Sequence, residues 1–143
     1  MAQGCPFCAI VAGELPASVV WEDEQVVAFL DLRQAVAGHL LVVPRQHVET
    51  LYELDEDTAA TLMRVAHRMA VAIRACWDPP GLNLWQSNGA AGGQEVPHVH
   101  LHVQPRRVGD GLLRIYTDGA PASTARMQLD DWAAMLREVL GEG

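Results

Sequence analysis

Residues 98–103 read His-Val-His-Leu-His-Val, an alternation of period two that narrows the choice of fold more than any other stretch of the chain. Successive side chains of an extended strand leave on opposite faces. The segment therefore predicts a strand over 98–103, with Val99, Leu101 and Val103 turned to a core and His98, His100 and His102 turned to something polar. Neighbouring imidazoles on that face would stand about 7 Å apart, too far for direct hydrogen bonds between rings but suited to surrounding one phosphate group or one metal ion. Pro105 is expected to stop the strand.

A single polar-faced strand needs partners, and the sequence supplies them. Ser18–Asp23 and Val26–Asp31 read as two short strands joined by a turn at Asp23-Glu24-Gln25. His39–Val43 reads as a third, introduced by Gly38 and closed by Pro44. A helix follows, with Asp55 as N-cap and Glu56 and Asp57 in its first turn. Its apolar stripe is Leu62, Val65, Ala66, Met69 and Ile73, and Pro79-Pro80-Gly81 ends it. A strand at Leu82–Gln86, the loop Asn88–Glu95, the histidine strand and a last amphipathic helix at Leu129–Leu140 complete the order. Successive strands without crossover helices predict an α+β domain, a five-stranded antiparallel sheet with helices on one face. A chain of 143 residues, half of them apolar, suits one domain with one core.

Charge narrows the partners. Eighteen Asp and Glu against ten Lys and Arg give a formal net charge of −8, which repels a phosphate backbone and argues against nucleic acid. It leaves room for a small anion held by backbone N–H groups. No targeting or membrane-spanning segment is visible, and three cysteines fit a reducing compartment, so the expectation is a cytoplasmic protein.

Three readings of the histidine face stay open on the residues alone. The imidazoles are solvent-facing polar residues, or they chelate a catalytic zinc that activates water, or a neutral imidazole attacks phosphorus directly. Gly89, Gly92 and Gly93 just upstream favour a phosphate, because glycine permits positive φ and close backbone approach. Arg106 is placed to add charge at one edge.

These residues together resemble the histidine-triad (HIT) family of nucleotide hydrolases and transferases, in particular its bacterial Hint-like branch with an N-terminal Cys-x-x-Cys. The likeness rests on His98–Gln104 and on Cys5-Pro6-Phe7-Cys8 through Ala17. It also rests on Ala28–Asp31, Gly38–Pro44, and Asn88-Gly89 with Gly93-Gln94. It implies one domain over 1–143, with a core at 5–106 and a C-terminal extension at 107–143. It also implies a homodimer whose sheet continues across the interface, and a purine nucleotide bound with its α-phosphate at the histidine face. His100 is then the nucleophile; His102 contacts the phosphate and handles the leaving-group proton, and His39 supports them from the third strand. Asp31 pairs with ribose hydroxyls and Phe7, Ile10 and Leu32 lie near the base. Ser87, Asn88, Gly93, Gln94 and Glu95 form the phosphate side. Ser87 stands where many members have Asn, and Glu95 where Ser or Thr is common. A carboxylate beside a dianionic substrate is costly, so Glu95 turns outward or meets a metal or an amine-bearing leaving group.

Cys5 and Cys8 have metal-ligand spacing but lack two further ligands of their own. Five residues of lead-in cannot supply the strand a thioredoxin-like site needs. By the family resemblance, Cys5, Cys8, His47 and His98 hold a structural zinc, the alternative being two reduced, buried thiols. Cys76 is expected in the core and His67 in solvent. Besides the nucleotide hydrolase, two functions compete: a zinc-dependent hydrolase with the triad as ligands, and a nucleotide-binding interaction protein with little turnover.

Overall fold

The computed structural model describes residues 3–141. Its elements are α1 (Pro6–Val11), β1 (Val19–Glu22), β2 (Val26–Leu30), β3 (Leu40–Pro44), α2 (Glu56–Trp77), β4 (Gly81–Trp85), β5 (Leu101–Arg106) and α3 (Arg126–Leu140), with short 3-10 turns at Leu51–Glu53 and Ala90–Gly92. The five strands form one antiparallel sheet in the order β1-β2-β3-β5-β4, an α+β fold. The chain divides into two compact units that part between Asp110 and Gly111. The sheet, α1 and α2 lie in the first, and α3 in the second.

Helix α2 forms as its sequence dictates. Asp55 accepts from the Thr58 N–H, and Asp78 closes the helix in the left-handed region just before Pro79. Leu62, Val65, Ala66, Met69 and Ile73 are buried against Val26, Ala28, Leu40, Val42 and Val103 of the sheet. Burying each large aliphatic side chain contributes about 1.5–3 kcal/mol.

The opposite sheet face is covered as well, contrary to the expectation of helices on one face. Val27, Phe29, Leu41 and Val43 pack against Cys5, Phe7 and Cys8 of the N-terminal segment. Continuous apolar runs such as Val26–Leu30 and Leu40–Val43 are what strands buried on both faces require. Helix α1, absent from the sequence reading, supplies the second cover. Cys5 caps it and Pro6 occupies its first turn, where a missing N–H costs nothing.

Two boundaries differ in ways that matter for the site. The last strand begins at Leu101, not His98, and Pro105 lies inside it. Strand β3 leaves the ladder after the Leu40↔Val103 pair, so only β4 flanks Pro105, and a proline is tolerated where one neighbour is gone. Gly38, at φ 105°, brings the chain into His39 beneath Trp77. A Cβ there would stand 2.9 Å from a Trp77 ring carbon and 3.2 Å from Pro105. Gly38→Ala is therefore expected to cost about 3 kcal/mol, from backbone strain and overpacking together, as read from urea unfolding.

Candidate active site and metal cage

Strand β5 and its approach carry three imidazoles into two different settings. His98 is fully buried. Its Nε2–H donates to the Pro44 carbonyl at 2.8 Å, which leaves the Nδ1 lone pair free. That lone pair faces Cys5 Sγ at 3.5 Å, Cys8 Sγ at 3.6 Å and His47 Nδ1 at 3.2 Å, and Cys8 Sγ lies 3.2 Å from His47 Nδ1. All four candidate donor atoms fall within 4.8 Å of one another.

These spacings fit a tetrahedral zinc. Bonds of about 2.3 Å to sulfur and 2.0–2.1 Å to nitrogen place sulfur and nitrogen about 3.6 Å apart, and two nitrogens about 3.3 Å apart. The donor chemistry fits too, two thiols and two imidazoles with the His98 tautomer fixed by a carbonyl. Burial pushes the Cys5 thiol up in pKa, a cost that a bound dication offsets by stabilising thiolate.

His100 is turned differently. Its Nδ1–H donates to the His98 carbonyl at 2.7 Å, so Nε2 carries the lone pair. The Phe7 ring packs edge-on against it at 5.0 Å and against His98 at 5.8 Å. Burial, before any other cause, holds His100 below the ordinary histidine pKa, while the carboxylates of Asp31 and Glu95 pull the other way.

His102 meets His39 in a 2.9 Å hydrogen bond between its Nδ1 and His39 Nε2. Asp31 Oδ2 stands 3.8 Å from His39 Nδ1. The backbone sets this trio, because the Asp31 N–H donates to the His39 carbonyl. Gln34, which the sequence reading missed, ties the intervening loop: its amide donates to the Asp31 and His39 carbonyls and accepts from the Gly38 and His39 N–H groups. The His100 and His102 rings are 4.9 Å apart, closer than the expected strand spacing, because the rings lean together where the chain at His100 precedes the ladder.

Trp85 was also missed. It is the cross-strand partner of His102, and the two rings stack at 4.1 Å and 6°. Only the strand register, which a single sequence does not display, brings them together.

The phosphate-side loop is organised around itself. Gly89 and Gly93 do have positive φ, yet the N–H groups of Gly89, Gly92, Gly93 and Gln94 all donate within the loop, contrary to the expectation that they face a ligand. The Gln94 side chain braces Gly89, Glu49 and Val96. Asn88 is paired with Gln86 and the Leu51 N–H. Ser87 is half-buried and Glu95 is exposed.

Of the residues expected near the base, Phe7 is buried under the histidines, Ile10 is half-buried beside it, and Leu32 is 97% exposed. Arg106 is held by Asp110 and Asn83. Cys76 is exposed, against the expected core position: it continues the stripe by spacing but lies in the last turn of α2, beyond Ile73, the last buried residue of the helix; His67 is exposed as expected. No single metal-binding group among the described residues contains all three triad histidines: His98 belongs with the thiols and His102 with Asp31 and His39.

Burial, followed by the nearby His100 and His39, pushes His102 from 6.5 down to about 3. The unfolded chain therefore takes up this proton near pH 6.5, whereas the folded chain resists it until about pH 3. Stability from this group is full above pH 6.5 and is lost as the pH falls through that window. Thermal melts between pH 7 and about 4 are expected to show this slope, and His102→Asn to reduce it, the remainder coming from His39, His98 and His100, which burial also holds below the ordinary histidine value.

The fold and this paired arrangement, a thiol–imidazole cage beside a line of neutral histidines, define an α+β histidine-site protein. Residues 12–109 match the HIT domain, and the chain belongs to that family. It is 44% identical over 112 residues to Protein hit of Bacillus subtilis, covering 78% of this chain and 77% of that one. It is also similar to the structure of a Zn-bound histidine triad family protein from Mycobacterium smegmatis, at TM-score 0.72 and 35% identity over 96% of this chain and 98% of the other. A histidine triad nucleotide-binding protein from Candida albicans matches at TM-score 0.84 and 27% identity, over 96% and 97% of the two chains. No helix among the described residues is long and apolar enough to cross a membrane.

Proposed function

We propose that the protein hydrolyses or transfers nucleotidyl groups, cleaving at the α-phosphate of a nucleotide through a covalent intermediate on His100 Nε2. The observation that carries this reading is the bond from His100 Nδ1–H to the His98 carbonyl. It commits one ring nitrogen as a donor and leaves the other as an unprotonated nucleophile, in a ring that burial keeps neutral. The nucleotide-binding relative from Candida albicans supports the ligand class.

In this reading Nε2 forms a bond to the α-phosphorus as the P–O or P–N bond to the leaving group breaks, and the leaving group takes up a proton from solvent that His102 helps to deliver. Water then attacks the same phosphorus and the N–P bond breaks. The water gives up a proton, and a nucleoside monophosphate departs from neutral His100. His102 Nδ1 is tied to His39 Nε2, whose other ring nitrogen faces Asp31, and His102 Nε2 is left to meet the phosphate. Asp31 receives the ribose hydroxyls, with Ile10 and Leu32 towards the base.

Cys5, Cys8, His47 and His98 would hold zinc, as the Zn-bound relative supports. Four protein ligands leave no open position, so the ion supplies a structural cross-link. The free edge of β4 suits a second copy extending the sheet into a homodimer. The unpaired thiols suit a cytoplasmic setting.

The test is a panel of diadenosine polyphosphates and adenosine phosphoramidates, with acid-quenched protein searched for nucleotidyl-histidine. Release of adenosine monophosphate with label on His100 is expected. Tight nucleotide binding without that release would replace the enzyme with a binding protein.

A further inference from the structure

We propose that Trp85 is a positioning residue for His102: its indole covers one face of the imidazole and fixes the direction in which Nε2 points. The inference rests on the reaction proposed above, in which His102 meets the phosphate.

Two restraints act on this ring, and they are nearly orthogonal. In its own plane, Nδ1 is tied to His39 Nε2 at 2.9 Å. Against its face lies the indole of Trp85, 4.1 Å away and tilted by only 6°. The contact is built into the sheet, since Trp85 and His102 are directly opposed in the β4–β5 ladder and so share a face. The hydrogen bond alone would let the imidazole swing about its Nδ1; the stack removes that freedom. Trp85 also lies 5.6 Å from the His39 ring, so the indole flanks both members of the His39–His102 pair. What the His39 bond leaves in the plane of the His102 ring is Nε2, and the His100 ring is 4.9 Å from the His102 ring. A group held this way acts on an already bound substrate, so its loss should appear in turnover and not in affinity.

The experiment compares Trp85→Leu, which keeps apolar bulk without a flat ring, with Trp85→Phe, which keeps a stackable one. His100→Ala runs alongside. An adenosine phosphoramidate is the substrate, and adenosine monophosphate affinity is measured separately. Trp85→Leu is expected to lower kcat by about ten- to a hundredfold while KM and monophosphate affinity stay within about threefold. Trp85→Phe should recover most of the loss. In NMR spectra, the His102 Cε1–H resonance should be displaced by the indole ring current in the wild type and return towards its ordinary position in Trp85→Leu, with His67 unmoved. If Trp85→Leu does not fold, Trp85→Met takes its place.

Unchanged kcat in the folded variant, equal losses in the Leu and Phe variants, or an effect confined to KM overturns the positioning role. Persistent turnover in His100→Ala, or no monophosphate release by the wild type, sinks the reaction itself. The NMR comparison then decides the stack alone: a His102 resonance indifferent to Trp85→Leu overturns it.

Discussion

Alanine at position 100 is expected to lower nucleotide turnover by roughly four orders of magnitude or more, with adenosine monophosphate affinity changed by no more than about threefold. The loss is this large because no neighbour can take over. His98 directs its lone pair into the thiol cluster, and His102 spends Nδ1 on His39. The fold should survive, since the removed ring is bounded by Phe7, His102 and the His98 carbonyl and takes no part in the core between α2 and the sheet. His100→Asn is the companion variant, because its amide can still donate to that carbonyl while offering no nucleophile. Steady-state rates, monophosphate titrations and thermal melts check the three parts. Residual turnover above about a tenth of wild type would remove the covalent step from the mechanism.

Cys8→Ser, or exhaustive chelation, is expected to lower the melting temperature by about 10 °C or more. The cage joins three segments that are distant in sequence: the start of α1, the stretch after β3, and the approach to β5. Without an ion, two thiols and two imidazoles crowd within a few ångström of one another in a largely buried space. Purified protein that has never met a chelator should carry about one zinc per chain by elemental analysis. Less than about a tenth of that would show that the cage is not a zinc site. The melt and the metal content read different things, so a stable protein without zinc and an unstable one with it are both informative.

Much of the architecture was legible because it rests on periodicity and punctuation. Steps of three and four from Leu62 to Ile73 marked α2, with Asp55 and Pro79 bracketing it. The gathering of Cys5, Cys8, His47 and His98 came instead from family likeness, because 93 residues separate Cys5 from His98 and spacing alone says nothing at that range. What escaped the reading was set by pairing. Trp85 became a neighbour of His102 through ladder register, and Gln34 became a brace because a loop folded around it. The glycines of the 89–93 loop misled for a related reason: positive φ was foreseen, but whether an N–H faces inward or outward depends on the rest of the loop. Pro105 misled because a missing N–H matters only where a partner strand is present to receive it.

One consequence concerns the double employment of His98. Its ring belongs to the cage and its carbonyl holds His100, the proposed nucleophile, two duties carried out by different parts of the same residue. A designer who wished to trade robustness for speed would find no independent dial at this position, since whatever loosens the anchor also disturbs the aim.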